Sequence, residues 1–177
     1  MRVAKFKSVT GITLIELMIT IAIAGILISL AAPNFRSSIQ NNRMVTEVNE
    51  LHASLNYGRS EAIKRNSNVT ICPSSNGVTC SGSWKDGWIV ISGDELIRVH
   101  GPISDGNTLS FTRNNVTYVS EGVVAVGSHG TFTLCDSRGA PYAKGLIIGL
   151  SGRPRTAIDS DDNGILNDGN NADLACS

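Results

Sequence analysis

Hydrophobic residues are distributed unevenly along the chain, and their pattern predicts three successive regions. The first, residues 12–33, is almost continuously apolar, and Glu16 is its one charged residue. At about 1.5 Å per residue, a helix of this length crosses the roughly 30 Å hydrocarbon core of a bilayer. Three basic residues lie between positions 2 and 7, and the positive-inside rule keeps such a flank in the cytoplasm. We predict a retained membrane anchor, because the apolar region of a secretory signal peptide is shorter.

In the second region, residues 34–66, hydrophobic and small residues recur every three or four positions, as on one face of an amphipathic helix. This face consists of Met44, Val48, Leu51, Leu55, Gly58 and Ala62. The face is short and contains small residues, which favours packing on the chain's own C-terminal part over a dimeric coiled coil. Polar residues at 66–68 are expected to end the helix.

In the third region, residues 67–177, short β-prone segments alternate with turn-forming clusters of Gly, Asn, Asp and Ser. The predicted strands are residues 69–71, 88–91, 96–99, 109–112, 116–119, 123–126, 131–134 and 145–150. No second helix is expected. We therefore predict an α+β fold in which a long N-terminal helix, half transmembrane and half amphipathic, packs against an antiparallel β-sheet head.

Composition and motifs limit the classes of function. A length of 177 residues excludes a large multidomain enzyme, and 15 basic against 15 acidic residues exclude a surface that coats nucleic acid throughout. The sequence contains no nucleophile elbow, phosphate-binding loop or metal-spaced cluster, and its three histidines are scattered. We therefore predict no catalytic residues, no cofactor and no metal, and we expect a structural or interaction protein.

The four cysteines are Cys72, Cys80, Cys135 and Cys176, and all lie in the part predicted to be outside the cytoplasm. An even number in an oxidising compartment favours two disulfides over a zinc site, since no C-x-x-C pair is present. Four cysteines allow three connectivities. Pairing of the first two would close a local loop, and pairing of the last two would attach the C-terminal tail to the sheet.

The string G-I-T-L-I-E-L, which begins at Gly11, resembles the type IV prepilin signature. A carboxylate within a lipid-facing helix is costly and is therefore a functional candidate. The resemblance implies that residues 1–11 are a leader, which a prepilin peptidase removes by cutting between Gly11 and Ile12. It further implies that Ile12 is then N-methylated and that Glu16 pairs with the amino terminus of a neighbouring subunit. Most members of the family have Phe where this chain has Ile12.

Three strings of the head, L-N-Y-G-R-S-E-A-I-K-R at 55–65, V-T-I-C-P-S-S-N-G-V-T-C at 69–80 and W-K-D-G-W-I-V at 84–90, extend the resemblance. They are similar to the heads of the FimT and FimU minor pilins, which share their fold with the type II secretion pseudopilin H. The resemblance implies the type IV pilin fold, a single-pass anchor in a bacterial inner membrane with a periplasmic head, and incorporation among other major and minor pilins into a fibre at the cell surface. The alternatives are a pseudopilin that serves protein export and, from another class, a membrane-tethered enzyme or solute-binding head.

The string Gly152-Arg153-Pro154-Arg155 is the main candidate for binding chemistry. Proline pushes the preceding residue towards an extended conformation, so the two guanidinium groups are expected on the same side of the backbone, on an edge strand or loop. Each presents a planar fork of donors that suits phosphate oxygens. Two readings compete with ligand binding: the arginines are simply solvated, or they pair with the following Asp159, Asp161 and Asp162.

In FimT-like pilins, a G-R-x-R string binds DNA during natural transformation. The resemblance therefore implies that Arg153 and Arg155 contact DNA phosphates without reading the base sequence, with Arg138 and Lys144 as further candidate contacts. Removal of the leader leaves 12 basic against 15 acidic residues, so binding would depend on local cations.

Residues 159–164 match the first half of a calcium-binding loop, with oxygen ligands at alternate positions and Gly164 at the turn. The twelfth position is Asn170 in place of the bidentate glutamate. A plain turn rich in Asn, Asp and Gly is therefore the favoured interpretation.

Overall fold

The computed structural model describes residues 11–176, except for the side chains of residues 30–34. Apart from Gly11, the predicted leader lies outside these described residues. The chain divides into two compact units, Met1–Ile39 and Gln40–Ser177.

One helix, α1, extends over Leu14–Arg65 and belongs to both units. The Oγ1 atom of Thr13 accepts a hydrogen bond of 3.3 Å from the backbone N–H of Glu16, which satisfies one free donor at the helix start. Within the described residues, no helix contains a segment both apolar and long enough to cross a membrane. The side chains of residues 30–33, at the end of the predicted span, lie outside the description, and the span stays a prediction.

The predicted apolar face of the second region is confirmed, because its large residues and Ala62 are all buried. Gly58 is required on this face, since a Cβ atom there would lie 2.8 Å from Cδ1 of Ile71. The helix ends as predicted: Asn66 adopts φ +49°, and the N–H groups of Asn66 and Ser67 donate to the carbonyls of Ile63 and Ala62. This is a Schellman motif with asparagine in the left-handed position.

The eight strands of the head are β1 Val69–Pro73, β2 Trp88–Ser92, β3 Glu95–His100, β4 Thr108–Phe111, β5 Val116–Tyr118, β6 Gly130–Cys135, β7 Lys144–Ile148 and β8 Pro154–Thr156. They form two antiparallel sheets, a first sheet of order β3-β2-β1-β5 and a second sheet of order β4-β6-β7-β8. The predicted α+β class with an antiparallel head is confirmed, and the head contains two sheets where one was expected.

The strand predictions need two corrections. The segment 123–126 was expected to be a strand but forms only an isolated bridge between Val124 and Tyr118, because tight turns at Gly122 and Gly127 interrupt it. The short strand β8 was not among the predicted strands. Its central residue, Arg155, is polar, and the strand is only three residues long and paired with β7.

The main core lies where the apolar face of α1 meets both sheets, and it includes Trp84, Trp88, Tyr118 and Phe132. A smaller cluster around Ile147, Ala157 and Leu174 packs the C-terminal segment on the second sheet. Each sheet also carries one disulfide, since Cys72 is bonded to Cys80 and Cys135 to Cys176. Two disulfides are thus present as predicted, and of the three connectivities left open the structure has this one, in which the longer bridge holds the C-terminal tail.

Candidate functional site

The arginine edge, defined here as Arg153 and Arg155 on and next to β8, lies at one border of the second sheet. Within that sheet β8 pairs with β7 only, and Arg155 stands opposite Ile147. Both arginine side chains are exposed. Among the described residues, neither forms a side-chain hydrogen bond or an ion pair. Two unneutralised guanidinium groups, two residues apart along an extended backbone, are thus available to an external anion.

Gly152 sets the direction of the chain into the arginine edge. Its φ of +75° favours glycine, and its N–H donates to the carbonyl of Gly149 at 3.1 Å, which closes a tight turn. A Cβ atom at this position would overlap the carbonyl oxygen of Gly122 and lie 3.2 Å from Cε1 of Tyr118. Glycine is therefore required here by both its backbone conformation and its close packing.

A contact from α1 holds the loop on which Gly152 packs. The Nε atom of Arg59 donates a hydrogen bond of 2.7 Å to the same carbonyl oxygen of Gly122. Next to it, burial raises the pKa of the Tyr118 phenol, and its hydroxyl is buried without a hydrogen-bond partner among the described residues. Arg59 is thus a positioning residue for the turn. Sequence reasoning missed this role because the contact joins residues 63 positions apart.

Among the described residues, none of the acidic residues after the arginine edge forms an ion pair with it. Asp159 accepts a hydrogen bond of 2.8 Å from the N–H of Gly164, which lowers the pKa of its carboxyl group. Asp161 accepts from the side-chain amide of Asn163 at 3.0 Å. That amide also donates to both carboxylate oxygens of Asp173 at 3.1 Å. These carboxylates therefore organise their own turn. In the described part of the chain, no three carboxylate, imidazole or thiolate groups are arranged to hold a metal ion.

Of the two further cations expected near the DNA site, Arg138 is engaged within the fold. Its Nη2 atom lies 2.6 Å from Oδ2 of Asp136, and its guanidinium carbon lies 4.1 Å from the ring centroid of Tyr142. Arg138 in turn lowers the pKa of the Asp136 carboxyl group through its side-chain hydrogen bonds. Lys144 is half-buried at the start of β7, opposite Leu134. The first of these cations is therefore a poor candidate for contact with a ligand.

The residues predicted to act in processing and assembly all lie at the start of α1. Gly11 and Ile12 precede the helix and are exposed, and a Cβ atom on Gly11 would have nothing within 4 Å. Glu16 is exposed in the first turn of α1. An exposed segment outside the helix is accessible to a peptidase, and a carboxylate in the first turn suits the positive end of a helix dipole.

Comparison with known proteins gives two kinds of match. Residues 47–152 match the family model described as type II transport protein GspH, and residues 6–32 match the prokaryotic N-terminal methylation motif. Two crystal structures of the type IV minor pilin FimU from Pseudomonas aeruginosa strain PAO1 share the fold at 20% sequence identity. The first has a TM-score of 0.56 and covers 67% of this chain and 91% of the FimU chain. The second has a TM-score of 0.54 and covers 65% and 93%. No curated protein sequence matches the chain.

Proposed function

Because the chain belongs to the GspH family and carries the N-terminal methylation motif, we propose that it is a minor type IV pilin that binds DNA through the arginine edge. The family consists of structural pilins and pseudopilins and is not a family of enzymes. The GspH match ends at Gly152, so Arg153 and Arg155 lie directly beyond it. The proposed ligand-binding role of these arginines therefore rests on the resemblance of the G-R-x-R string and on the geometry of the edge strand.

The proposal includes processing and assembly at the N-terminus. A prepilin peptidase cuts between Gly11 and Ile12, and the new amino group of Ile12 is methylated. The carboxylate of Glu16 pairs with the amino terminus of a neighbouring pilin, because an ionised group in the bilayer or in a packed helix bundle needs an opposite charge. Residues 12–33 hold the protein in the inner membrane until it enters the fibre.

The observation that carries DNA binding is the absence of any internal ion pair or side-chain hydrogen bond at Arg153 and Arg155 among the described residues. The predicted mature chain has more acidic than basic residues, so its overall field repels DNA. Contacts with DNA must therefore come from individual cations at the site. One arginine guanidinium can donate two parallel hydrogen bonds to the oxygens of a phosphate. Contacts to phosphates are independent of base sequence and weaken as salt is added.

A titration of the full-length chain in uncharged detergent micelles, with a fluorescent duplex and a series of salt concentrations, tests this function. We expect the double variant Arg153→Gln/Arg155→Gln to bind at least about tenfold more weakly. We also expect its slope of log K against log salt to fall by about 0.9 for each lost contact. Arg98→Gln is the matched control, because Arg98 is an exposed arginine on the edge strand of the other sheet. Equal binding by the double variant and the wild type would contradict the proposal.

A second candidate function is that of a type II secretion pseudopilin, and the description of the matching family favours it. A deletion strain, scored for transformation, twitching and protein secretion, separates the two candidates. Loss of transformation alone supports DNA uptake, and loss of transformation together with twitching supports a role in pilus assembly. Loss of secretion with intact transformation and twitching would replace the first proposal by the second.

A further inference from the structure

A cleft of about 380 Å³ opens beside the arginine edge, and Arg155 forms part of its wall. Its walls come from five stretches of the chain: the segment after β4, the start of β6, the end of β7, Arg155 of β8 and the turn at residues 168–170. The segment after β4 contributes Arg113, which was not among the predicted site residues. The cleft thus has an arginine from each of two separate segments.

Arg113 is in the same chemical state as the two residues of the arginine edge. It is exposed, and within the described residues it forms no hydrogen bond or ion pair through its side chain. The acidic residue of the cleft, Asp168, directs Oδ1 into its own turn, where the atom accepts the N–H groups of Asn170 at 2.7 Å and Ala172 at 3.0 Å. Among the described residues, neither guanidinium group of the cleft is paired with this carboxylate, so both are available to an anion.

The walls of the cleft are held by hydrogen bonds between its segments. The Oγ1 atom of Thr112 accepts from the N–H of Thr131 at 3.0 Å, and Oγ1 of Thr131 accepts from the N–H of Gly169 at 3.2 Å. A Cβ atom on Gly130 would overlap Oγ1 of Thr112, so the strands can approach closely only with glycine there. His129 also lines the cleft, and its Nδ1 atom is buried without a hydrogen-bond partner among the described residues. Buried polar atoms are nearly always hydrogen-bonded, so this one calls for an explanation, such as an ordered water or ion.

We propose that this cleft seats one phosphodiester group of a DNA strand, gripped by Arg113 from one wall and by Arg155 from the other. Arg153, which does not line the cleft, contacts a neighbouring phosphate. This inference rests on the proposed DNA binding and adds a third arginine to it. It differs from the earlier expectation that Arg138 and Lys144 assist, because Arg138 is bound to Asp136.

Binding of a fluorescent duplex to the full-length chain in uncharged micelles tests whether Arg113 and Arg155 bind the same phosphate. We expect Arg113→Gln to weaken binding about tenfold, as for the loss of one charge-assisted contact. Arg113 and Arg155 hold the same phosphate, so their double variant loses less than the product of the two single effects. The pair Arg113 and Arg153 acts on different phosphates, so its effects multiply. The matched control Arg98→Gln binds as the wild type does. Unchanged binding by Arg113→Gln, with binding weakened by Arg155→Gln, overturns the cleft and leaves the proposed function intact.

A second measurement uses a probe with one phosphodiester, the dinucleotide TpT, and follows backbone amide signals of the full-length chain by NMR. We expect the amides of Gly130 and Gly169 to shift with TpT in the wild type and to stay unshifted in Arg113→Gln. The matched probe is thymidine, which lacks the phosphate and is expected to shift neither amide. If TpT shifts these amides but duplex binding is insensitive to Arg153 and Arg155, the cleft binds a phosphodiester but does not seat a DNA strand, and both the inference and the proposed function fail. If thymidine shifts them equally, or TpT does not shift them, phosphate binding in the cleft is overturned.

Discussion

The two sheets of the head differ in how they use the cations at their edges. At β3, the edge strand of the first sheet, Arg98 lies with its guanidinium carbon 5.3 Å from the ring centroid of Tyr57. Beside it, Arg65 of α1 donates to Glu95 at 2.7 Å, so both arginines are bound within the fold. At β8, the edge strand of the second sheet, neither arginine has a partner among the described residues. Arginine side chains thus make contacts within the fold at the edge of the first sheet, whereas those at the edge of the second sheet make none among the described residues.

The histidine of β3 is also held within the fold. His100 stacks on Trp88 with ring centroids 3.8 Å apart, and its Nε2 atom lies 3.1 Å from a carboxylate oxygen of Glu50. Cations that are bonded internally contribute to stability and are not free for a ligand. Those without partners add little to stability and are available to bind anions. The two edges therefore differ in whether their cations have partners within the fold, and not in how exposed those cations are.

The largest expected difference between the sheets concerns their disulfides. In a loop-entropy estimate, removal of the Cys135–Cys176 bridge by Ser substitution costs about 4 kcal/mol, against about 2.5 kcal/mol for Cys72–Cys80. The reason is that the first closes a separation of 41 residues and the second one of 8. Denaturant unfolding of the two double-Ser variants measures both losses. A greater loss for the shorter loop would show that the C-terminal segment is held mainly by its packing.

The second prediction concerns the glycine next to each edge strand, Gly152 before β8 and Gly101 after β3. Gly152→Ala places a Cβ atom against the carbonyl of Gly122 at positive φ, so we expect a loss of about 1–3 kcal/mol together with weaker DNA binding. The matched control is Gly101→Ala next to β3, where a Cβ atom has nothing within 4 Å and φ is not positive. Thermal melting and a DNA titration of both variants provide the measurement. Equal melting temperatures of the two variants would argue against a required glycine at the arginine edge.

The third prediction compares the loss of one arginine from each edge strand. Arg98→Gln removes the contact with Tyr57 and is expected to cost about 0.5–1 kcal/mol of stability without changing DNA binding. Arg155→Gln is expected to change stability by less than about 0.5 kcal/mol while weakening DNA binding. Chemical unfolding measures the stability of each variant, and fluorescence titration measures the affinity of each for DNA. The comparison fails if Arg155→Gln is the more destabilising of the two.

The smallest expected effect is a pH dependence that arises beside β3. The side-chain hydrogen bond from Arg65 holds the pKa of the buried Glu61 carboxyl group below its usual range. Stability from this pair is fully present above the unfolded pKa of about 4.3 and is lost as pH falls through the lower folded value. We therefore expect the melting temperature of the wild type to fall more steeply below about pH 4.5 than that of Glu61→Gln.

The control for this measurement is Glu121→Gln, since Glu121 is exposed and lies outside the Arg65 network. Its melting temperature should follow the acid profile of the wild type. If Glu61→Gln also follows that profile, the ion pair beside β3 contributes no pH-dependent stability.

The sequence predicts the elements well where a local pattern determines them. The periodic face from Met44 to Ala62, the end of α1 at Asn66 and seven of the strands follow from residue order alone. Segment 123–126 is apolar enough for a strand, but it lies between two glycines at positive φ and contributes only Val124 to a bridge. The positive φ angles of the two glycines cannot be predicted from a pattern of hydrophobic residues.

The candidate site is only partly predictable, because its parts come from distant positions. Proline at 154 and the flanking arginines indicate an accessible edge, and the structure has one there. The contributions of Arg59 and Arg113 depend on how the two sheets and α1 meet, and no spacing in the sequence indicates them. Buried Glu47 is a similar case: it lies among the charges of the helix pattern, yet its carboxylate accepts from the N–H of Ser104 at 2.8 Å.

The contact of Arg59 with Gly122 also has a consequence for the order of folding. The bend at Gly152 packs against the carbonyl group of Gly122, which Arg59 holds from 63 residues away, so its one local hydrogen bond is not its only support. Long-range contacts of this kind form only after costly loop closure. An isolated peptide of residues 149–157 is therefore expected to lack the bend. A nascent chain would likewise present its arginines in this geometry only after α1 has docked on the head.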